Sequence, residues 1–218
     1  MSFPLIKVCG MRDAQNIEQI ASLCPDFVGF IFYPRSKRYV RQSDLSSACL
    51  DKLLPKKLPT SIKRVGVFVE STDAEVEQIA SQWELDFVQL HGNESPAFCR
   101  KLKEKGIKII KVFSVGKEGI SLSHMRQYKD FVDYFLFDTQ TPDYGGSGHK
   151  FDWNTLKTYD LEVPFLLSGG ISLEDVEKLK EHIHHNCVGF DINSKFEIAP
   201  AQKNAALIEE FITLMRQK

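Results

Sequence analysis

Short apolar runs alternate along the chain with stretches in which apolar residues recur every three or four positions. The runs begin near Leu5, Phe27, Arg64, Phe87, Lys108, Tyr134, Phe165 and Val188. They lie roughly 21 to 37 residues apart, the length of a strand plus a return helix. Between them, the segment from Asp13 to Leu23 carries Ile17, Ile20 and Ala21 at helical spacing, and that from Thr72 to Gln82 carries Val76, Ile79 and Ala80. Ser71 or Thr72 can cap the second of these helices. Ser95-Pro96 opens a third, with proline at the favoured first position. Further helices are expected from Ser172 to Glu181 and from Ala201 to Arg216, and Phe151-Asp152-Trp153 reads as a capped helix start. Such alternation predicts a parallel sheet with helical crossovers, and eight strands fit a closed barrel better than an open doubly wound sheet. No Ser/Gly/Pro-rich linker divides the chain, and the irregular stretch from Leu53 to Pro59 reads as a surface connection. The expected fold is α/β: a single (β/α)8 barrel of eight parallel strands, with residues 1–218 forming one domain.

Alternation within strands says which side chains point inward. In the first strand Ile6 and Val8 suit the helix-facing side, which turns Leu5, Lys7 and Cys9 into the barrel. In the fourth, Gln89 and His91 share the face opposite Val88 and Leu90. In the sixth, Leu136 and Asp138 oppose Phe135 and Phe137. Three strands therefore end on an inward polar residue, Cys9, His91 or Asp138, at the C-terminal rim where barrel enzymes carry their chemistry.

Composition narrows the class of ligand. Lys and Arg number 28 against 29 Asp and Glu, a net charge of −1, which argues against nucleic-acid binding through a general basic surface. A local basic pocket for a small anion remains open. No apolar run approaches the roughly 20 residues of a membrane-spanning helix, and the N-terminus lacks the pattern of a secretion signal. Cys9, Cys24, Cys49, Cys99 and Cys187 are odd in number and irregularly spaced. That suits reduced thiols in a cytoplasmic protein, without a disulfide framework or a Cys-x-x-Cys metal site.

Each candidate has an ordinary reading beside a chemical one. Alone, a cysteine in Lys7-Val8-Cys9-Gly10 is more often a small interior residue; as a catalyst it needs a lowered thiol pKa, which Lys7 on the same face would favour. Asp138 is equally a turn former or an acid catalyst. Gly145-Gly146-Ser147-Gly148 is phosphate-compatible but matches neither the dinucleotide nor the P-loop pattern. Leu167-Ser168-Gly169-Gly170-Ile171 and Asp191-Ile192-Asn193-Ser194 follow the seventh and eighth strands, where such barrels often hold phosphate. Tyr33-Pro34-Arg35-Ser36-Lys37-Arg38-Tyr39 gathers three cations after the second strand, any of which can be solvated or can clamp a carboxylate. His182, His184 and His185 read as a helix end, since no acidic partner follows at metal-ligand spacing.

Taken in order, these runs resemble the phosphoribosylanthranilate isomerases. The likeness is carried by Lys7-Val8-Cys9-Gly10, Gly29-Phe30-Ile31-Phe32-Tyr33-Pro34, Ser36-Lys37-Arg38-Tyr39, Gln89-Leu90-His91-Gly92 and Phe137-Asp138-Thr139. It continues through the Gly145–Gly148 loop with Phe151-Asp152-Trp153, Ser168-Gly169-Gly170-Ile171, and Gly189-Phe190-Asp191-Ile192-Asn193-Ser194. The resemblance implies a (β/α)8 barrel that isomerises N-(5-phosphoribosyl)anthranilate in tryptophan biosynthesis, with no cofactor and no metal. It implies Cys9 as general base, Asp138 as general acid and Arg38 on the anthranilate carboxylate. The remaining expected substrate contacts are His91, Gly146, Gly148, Gly169, Gly170, Asp191, Asn193 and Ser194. One position departs from the pattern: Lys195 stands where many members carry glycine. The expected partner is a small phosphorylated molecule, with no nucleic acid and no membrane, and the chain would act as a monomer or homodimer.

The reaction explains the residue types. Protonating the furanose oxygen opens the sugar and leaves an iminium at C1, which acidifies the C2 proton; a base removes it, and the enolamine relaxes to the ketone. One acid and one base of opposed protonation state suffice. Two other readings compete. A related isomerase of a histidine-pathway intermediate would keep the phosphate loops but place carboxylates at both catalytic positions. A non-catalytic anion-binding or redox-responsive module would use Cys9 as a sensor.

Overall fold

The computed structural model describes residues 3–40, 58–116, 118–139, 150–182 and 184–217. Eight strands, β1 (Leu5–Val8), β2 (Phe27–Ile31), β3 (Lys63–Phe68), β4 (Phe87–Leu90), β5 (Ile109–Val115), β6 (Tyr134–Thr139), β7 (Phe165–Leu167) and β8 (Cys187–Ile192), form a closed parallel barrel. The seam closes between β1 and β8, in register from Leu5↔Gly189 to Val8↔Ile192. Every strand starts within about one residue of the place that the apolar pattern gives it, because a strand buried between core and helices must be apolar nearly throughout.

Local chemistry sets the helices: α1 (Ala14–Ser22), α2 (Asp73–Gln82), α3 (Pro96–Glu104), α4 (Leu122–Met125), α5 (Val176–His182) and α6 (Ala205–Arg216). Asp13, Thr72, Ser95 and Asn204 cap α1, α2, α3 and α6, each accepting a backbone N–H of the first turn. Asp152 caps a 3-10 turn over Trp153–Thr158. The segment expected as a helix from Ser172 begins as a 3-10 turn, Leu173–Asp175, closed by a reciprocal Ser172–Asp175 capping box.

The last helix corrects the sequence reading. It starts at Ala205, four residues later than expected, because β9 (Glu197–Ala199) and β10 (Gln202–Lys203) form a small antiparallel hairpin before it. Ala201, at φ 67°, lies in the left-handed region and cannot continue a right-handed helix. Residues 53–57 of the expected surface connection lie outside the described residues, whereas Leu58 is buried in the core.

The barrel interior changes character along its axis. Phe27, Phe87 and Tyr134, the first residues of β2, β4 and β6, meet at its N-terminal end with ring centroids 5.7 to 6.3 Å apart. Val65, Ile110, Leu136 and Leu166 form the aliphatic layer with them. Each aromatic is preceded by an aspartate whose Oδ2 accepts an N–H from the start of the neighbouring odd strand. Asp26 takes Ile6 N–H at 2.8 Å, Asp86 takes Arg64 N–H at 2.9 Å and Asp133 takes Ile109 N–H at 2.8 Å. This Asp-aromatic repeat ties strands in pairs, satisfying edge groups at the N-terminal end while the ring fills the floor. The opposite end is left to polar side chains.

Outside the barrel wall, Lys111 on β5 is buried among apolar residues and pairs with buried Glu94 at 2.9 Å. Its ammonium also donates to the carbonyls of Gly92, at 2.7 Å, and Leu90, at 3.3 Å. Glu94 Oε1 accepts from the N–H groups of Glu70, at 2.9 Å, and Gly92, at 3.1 Å. The pair thus fixes the two carbonyls that flank His91. Removing one partner of a buried pair leaves an uncompensated charge, so Lys111→Met should cost about 3–5 kcal/mol in a denaturant titration. Adding Glu94→Gln, which keeps an acceptor for both N–H groups, should restore part of that loss.

Candidate active site

The inward polar residues converge on the C-terminal mouth. Cys9, directly after β1, is held by its N–H on Ile192 O at 3.0 Å. Lys7, completely buried, points inward as alternation requires and pairs across the seam with Asp191 of β8 at 2.8 Å. Asp191 lies between outward-packed Phe190 and Ile192, so alternation turns it to that face. The β7 register passes from Phe165↔Cys187 to Leu166↔Gly189, leaving Val188 as an extra residue, so Val188 and Asp191 both face inward while Phe190 packs outward. Gly29 on β2 makes room for the thiol: a Cβ there would stand 2.9 Å from Cys9 Sγ and 3.3 Å from Lys7 Nζ.

The electrostatics of the thiol differ from the expectation. Burial pushes the Cys9 thiol up from its ordinary value, and the ammonium groups of Lys7 and Lys203 offset this only in part. Lys7 does act in the expected sense, but its charge is shared with Asp191. Burial works to lower the Lys7 ammonium, yet Asp191 and Cys9 outweigh it and hold the group above its ordinary value. Burial likewise raises the Asp191 carboxyl, with Lys7 acting against it.

Asp138, buried on β6, accepts from Thr139 N–H at 2.8 Å through Oδ1. His91 Nε2 stands 3.5 Å from Asp138 Oδ2, and its Nδ1 lies 3.3 Å from Gln89 Nε2. Alternation therefore brings together the acid and histidine that it places on one face. Gly169 and Gly170, with φ of 91° and 69°, carry the turn after β7. A side chain at Gly169 would collide with Thr139 and come within 3.1 Å of Asp138 Oδ1, so glycine here lets that turn close over the acid. Ser168 Oγ lies 3.4 Å from Asp191 Oδ2.

Of the three cations clustered after β2, Arg35 and Lys37 are exposed and Arg38 turns inward. Its Nε and Nη2 form a bidentate pair with Glu197 of the hairpin, at 2.8 and 2.6 Å. Glu197 Oε1 also accepts from Lys203 Nζ at 2.7 Å and Ala201 N–H at 3.1 Å. Burial works to raise the Glu197 carboxyl, but Arg38 and Lys203 together hold it below the ordinary carboxylate value. Gly10, at φ 77°, lies beneath the arginine stem: a Cβ there would stand 2.6 Å from Arg38 Cδ. Asn193 Oδ1 accepts from Lys203 Nζ at 2.6 Å. Ser194 begins a 3-10 turn that seats Phe196 in the core. Lys195 is exposed and is not among the described residues with positive φ, so this turn forms without the glycine common elsewhere.

Gly146 and Gly148 lie outside the described residues. His184 and His185 stack with ring centroids 4.2 Å apart, away from this mouth beside Phe165 at the start of β7. Among the described residues no group of three or more His, Cys, Asp or Glu could hold a metal ion, and no helix is long and apolar enough to cross a membrane. Sequence reasoning passed over Lys203 and Glu197, and named Gly29 only as the first residue of a resembling run. Parity within single strands could not show that a separate hairpin brings Glu197 to Arg38.

A family model described as N-(5'-phosphoribosyl)anthranilate (PRA) isomerase matches residues 6–214. The chain is 45% identical over 210 residues to an N-(5'-phosphoribosyl)anthranilate isomerase of Parabacteroides distasonis, covering 95% of this chain and 91% of the relative. It superimposes on the crystal structure of the phosphoribosyl anthranilate isomerase from Thermotoga maritima with a TM-score of 0.81, at 33% identity and 98% coverage of both chains. A second such isomerase was solved in complex with reduced 1-(o-carboxyphenylamino)-1-deoxyribulose 5-phosphate; it matches with a TM-score of 0.79, at 30% identity and 98% coverage of both chains.

The buried thiol generates a test of its own. Iodoacetamide should modify exposed Cys24 well before Cys9 at neutral pH. Cys9 should react appreciably only above the ordinary thiol value of 9.0. Peptide mapping by mass spectrometry reads both sites; rapid Cys9 labelling at pH 7 would contradict the electrostatic reading.

Proposed function

The chain belongs to the N-(5'-phosphoribosyl)anthranilate isomerase family and catalyses that aldose-to-ketose step of tryptophan biosynthesis, and we propose that Cys9 is its general base and Asp138 its general acid. The observation that supports this most is the placement of both groups on the inner face of one barrel mouth. Asp191 lies within electrostatic reach of each. Two strands, β7 and β8, separate their positions around the barrel, so the groups can address a sugar from different sides.

The order of proton transfers follows from the charges. Asp138 protonates the ring oxygen, and opening the furanose leaves a cation at C1. That cation acidifies the C2 proton and also favours the thiolate, which burial opposes. Removal of the C2 proton by Cys9 then gives the enolamine, and the substrate's own nitrogen serves as the electron sink. His91, hydrogen-bonded by Gln89 and close to Asp138, orients the acid.

The substrate's two anionic ends would be held apart. Arg38 takes the anthranilate carboxylate with the N–H groups that Glu197 leaves available. The phosphate sits in the loops after β7 and β8, around Gly169, Gly170, Asn193 and Ser194, with Gly146 and Gly148 in the loop after β6. The Asn193 side-chain oxygen is engaged by Lys203, so Asn193 offers its N–H groups. A bound carboxyphenylamino sugar phosphate in a solved relative agrees with a site built for both anions.

Cys9→Ser and Asp138→Asn should each lower kcat by about 10²- to 10⁴-fold, the usual contribution of one general acid or base. Turnover is followed by the loss of substrate fluorescence. Both variants should still bind reduced 1-(o-carboxyphenylamino)-1-deoxyribulose 5-phosphate with near-native affinity; retained turnover in either one would reject its role. Inorganic phosphate should inhibit competitively, and a crystal grown in phosphate should hold the anion beside Gly169 and Ser194 rather than beside His184 and His185.

A further inference from the structure

Behind Arg38 lies a buried ammonium group that none of these proton transfers uses. The side chain of Lys203 is completely buried, yet Nζ meets two acceptors, Glu197 Oε1 at 2.7 Å and Asn193 Oδ1 at 2.6 Å. Its backbone is fixed from both sides by one amide. Asn16 Oδ1 accepts from Lys203 N–H at 2.7 Å, and Asn16 Nδ2 donates to Lys203 C=O at 2.9 Å. Asn16 is itself buried on α1. The hairpin turns into Lys203 through Ala201 at φ 67°, a conformation that glycine adopts more readily. A lysine is costly to bury unless its charge is paired and its donors are met. Here the fold secures one from helix, hairpin and loop at once.

The charges around Arg38 give this lysine a purpose. Glu197 occupies one edge of the guanidinium, accepting from Nε and Nη2, and a guanidinium closed on a carboxylate is nearly neutral to an arriving anion. The oxygens of Glu197 would also repel that anion at short range. Lys203 grips Glu197 Oε1 from the buried side, so two cations share one carboxylate and one positive charge is left at the mouth. The same grip fixes Glu197, which fixes the plane of the guanidinium. We propose that Lys203 is a positioning residue for the substrate's carboxylate, acting through Glu197 to orient Arg38 and to leave the cluster net positive. This rests on the reading of Arg38 as the carboxylate holder.

Steady-state kinetics on four proteins test it: wild type, Arg38→Ala, Lys203→Gln and the double variant Glu197→Gln/Lys203→Gln. Lys203→Gln keeps a donor for Glu197 and Asn193 but removes the charge. It should raise KM about tenfold or more, with a smaller fall in kcat, the scale of one charged hydrogen bond. Competitive inhibition by inorganic phosphate, read on the same variant, should weaken less than KM rises, because Lys203 meets the proposed phosphate loops only through the Asn193 side chain. In the double variant the carboxylate charge is gone as well, Arg38 again supplies one net positive charge, and KM should return to within a few-fold of wild type. A structural role alone would leave the double variant no better than the single one. That result, or a wild-type KM in Lys203→Gln beside a raised KM in Arg38→Ala, overturns the proposal while leaving the Arg38 reading intact. An unchanged KM in Arg38→Ala overturns both. If Lys203→Gln does not fold, the double variant decides: a KM about tenfold or more above wild type rejects the inference.

Discussion

The barrel closes on a buried ion pair. Lys7 and Asp191 are register partners on β1 and β8, and their side chains meet at 2.8 Å inside the seam that closes the barrel. Two charges taken out of water must find each other or the interior cannot tolerate them, so the pair admits one arrangement of these strands. A slip of one residue would turn Lys7 into the helix layer and leave Asp191 alone. Everything at the mouth follows from this registration. It hangs Cys9 from Ile192, sets the thiol against the Lys7 ammonium, and holds Asp191 within electrostatic reach of both Cys9 and Asp138.

Stability and chemistry occupy opposite ends of the same strands. The N-terminal end is closed by Phe27, Phe87 and Tyr134 and by three aspartates that accept neighbouring N–H groups. The C-terminal end gathers Cys9, Gln89, His91, Asp138, Ser168 and Asp191, polar groups that are buried or nearly so and need partners. Several meet one another, Gln89 with His91, His91 with Asp138 and Ser168 with Asp191, whereas Gln89 Oε1 is buried without a hydrogen-bond partner. The Lys111–Glu94 pair extends it behind the barrel wall, fixing the carbonyls on either side of His91.

The surroundings of the thiol act on its charge in opposite senses. Burial pushes the Cys9 thiol above its ordinary value, and the cations nearby are shared with Asp191 and Glu197. In the proposed mechanism the positive charge that favours the thiolate arises on the substrate once Asp138 has opened the ring. The proposed acid and base are thereby coupled through the substrate, which would limit stray reactions of a free thiolate.

The sequence by itself determined the frame and the inner face. Eight apolar runs at strand-plus-helix spacing, a cap at Thr72 and the Ser95-Pro96 start place the barrel strands and the helices α1, α2 and α3 within a residue or two, whereas α4 went unexpected. Period-two alternation turns Lys7, Cys9, Gln89, His91 and Asp138 inward, because buried parallel strands give each side chain only two directions. What lay beyond it has a common cause. The β8 bulge that turns Val188 inward beside Gly189 depends on the pairing of β8 with β7, not on its own alternation. The Glu197–Lys203 hairpin replaces a segment whose periodicity reads as helix, since Ala201 is held in a left-handed turn and Lys203 is clasped by Asn16, 187 residues away in sequence. Which of three clustered cations becomes a clamp is decided by where Glu197 stands. Local pattern fixes what a residue prefers; partners distant along the chain decide which charges may be buried, and only closure of the barrel brings them together.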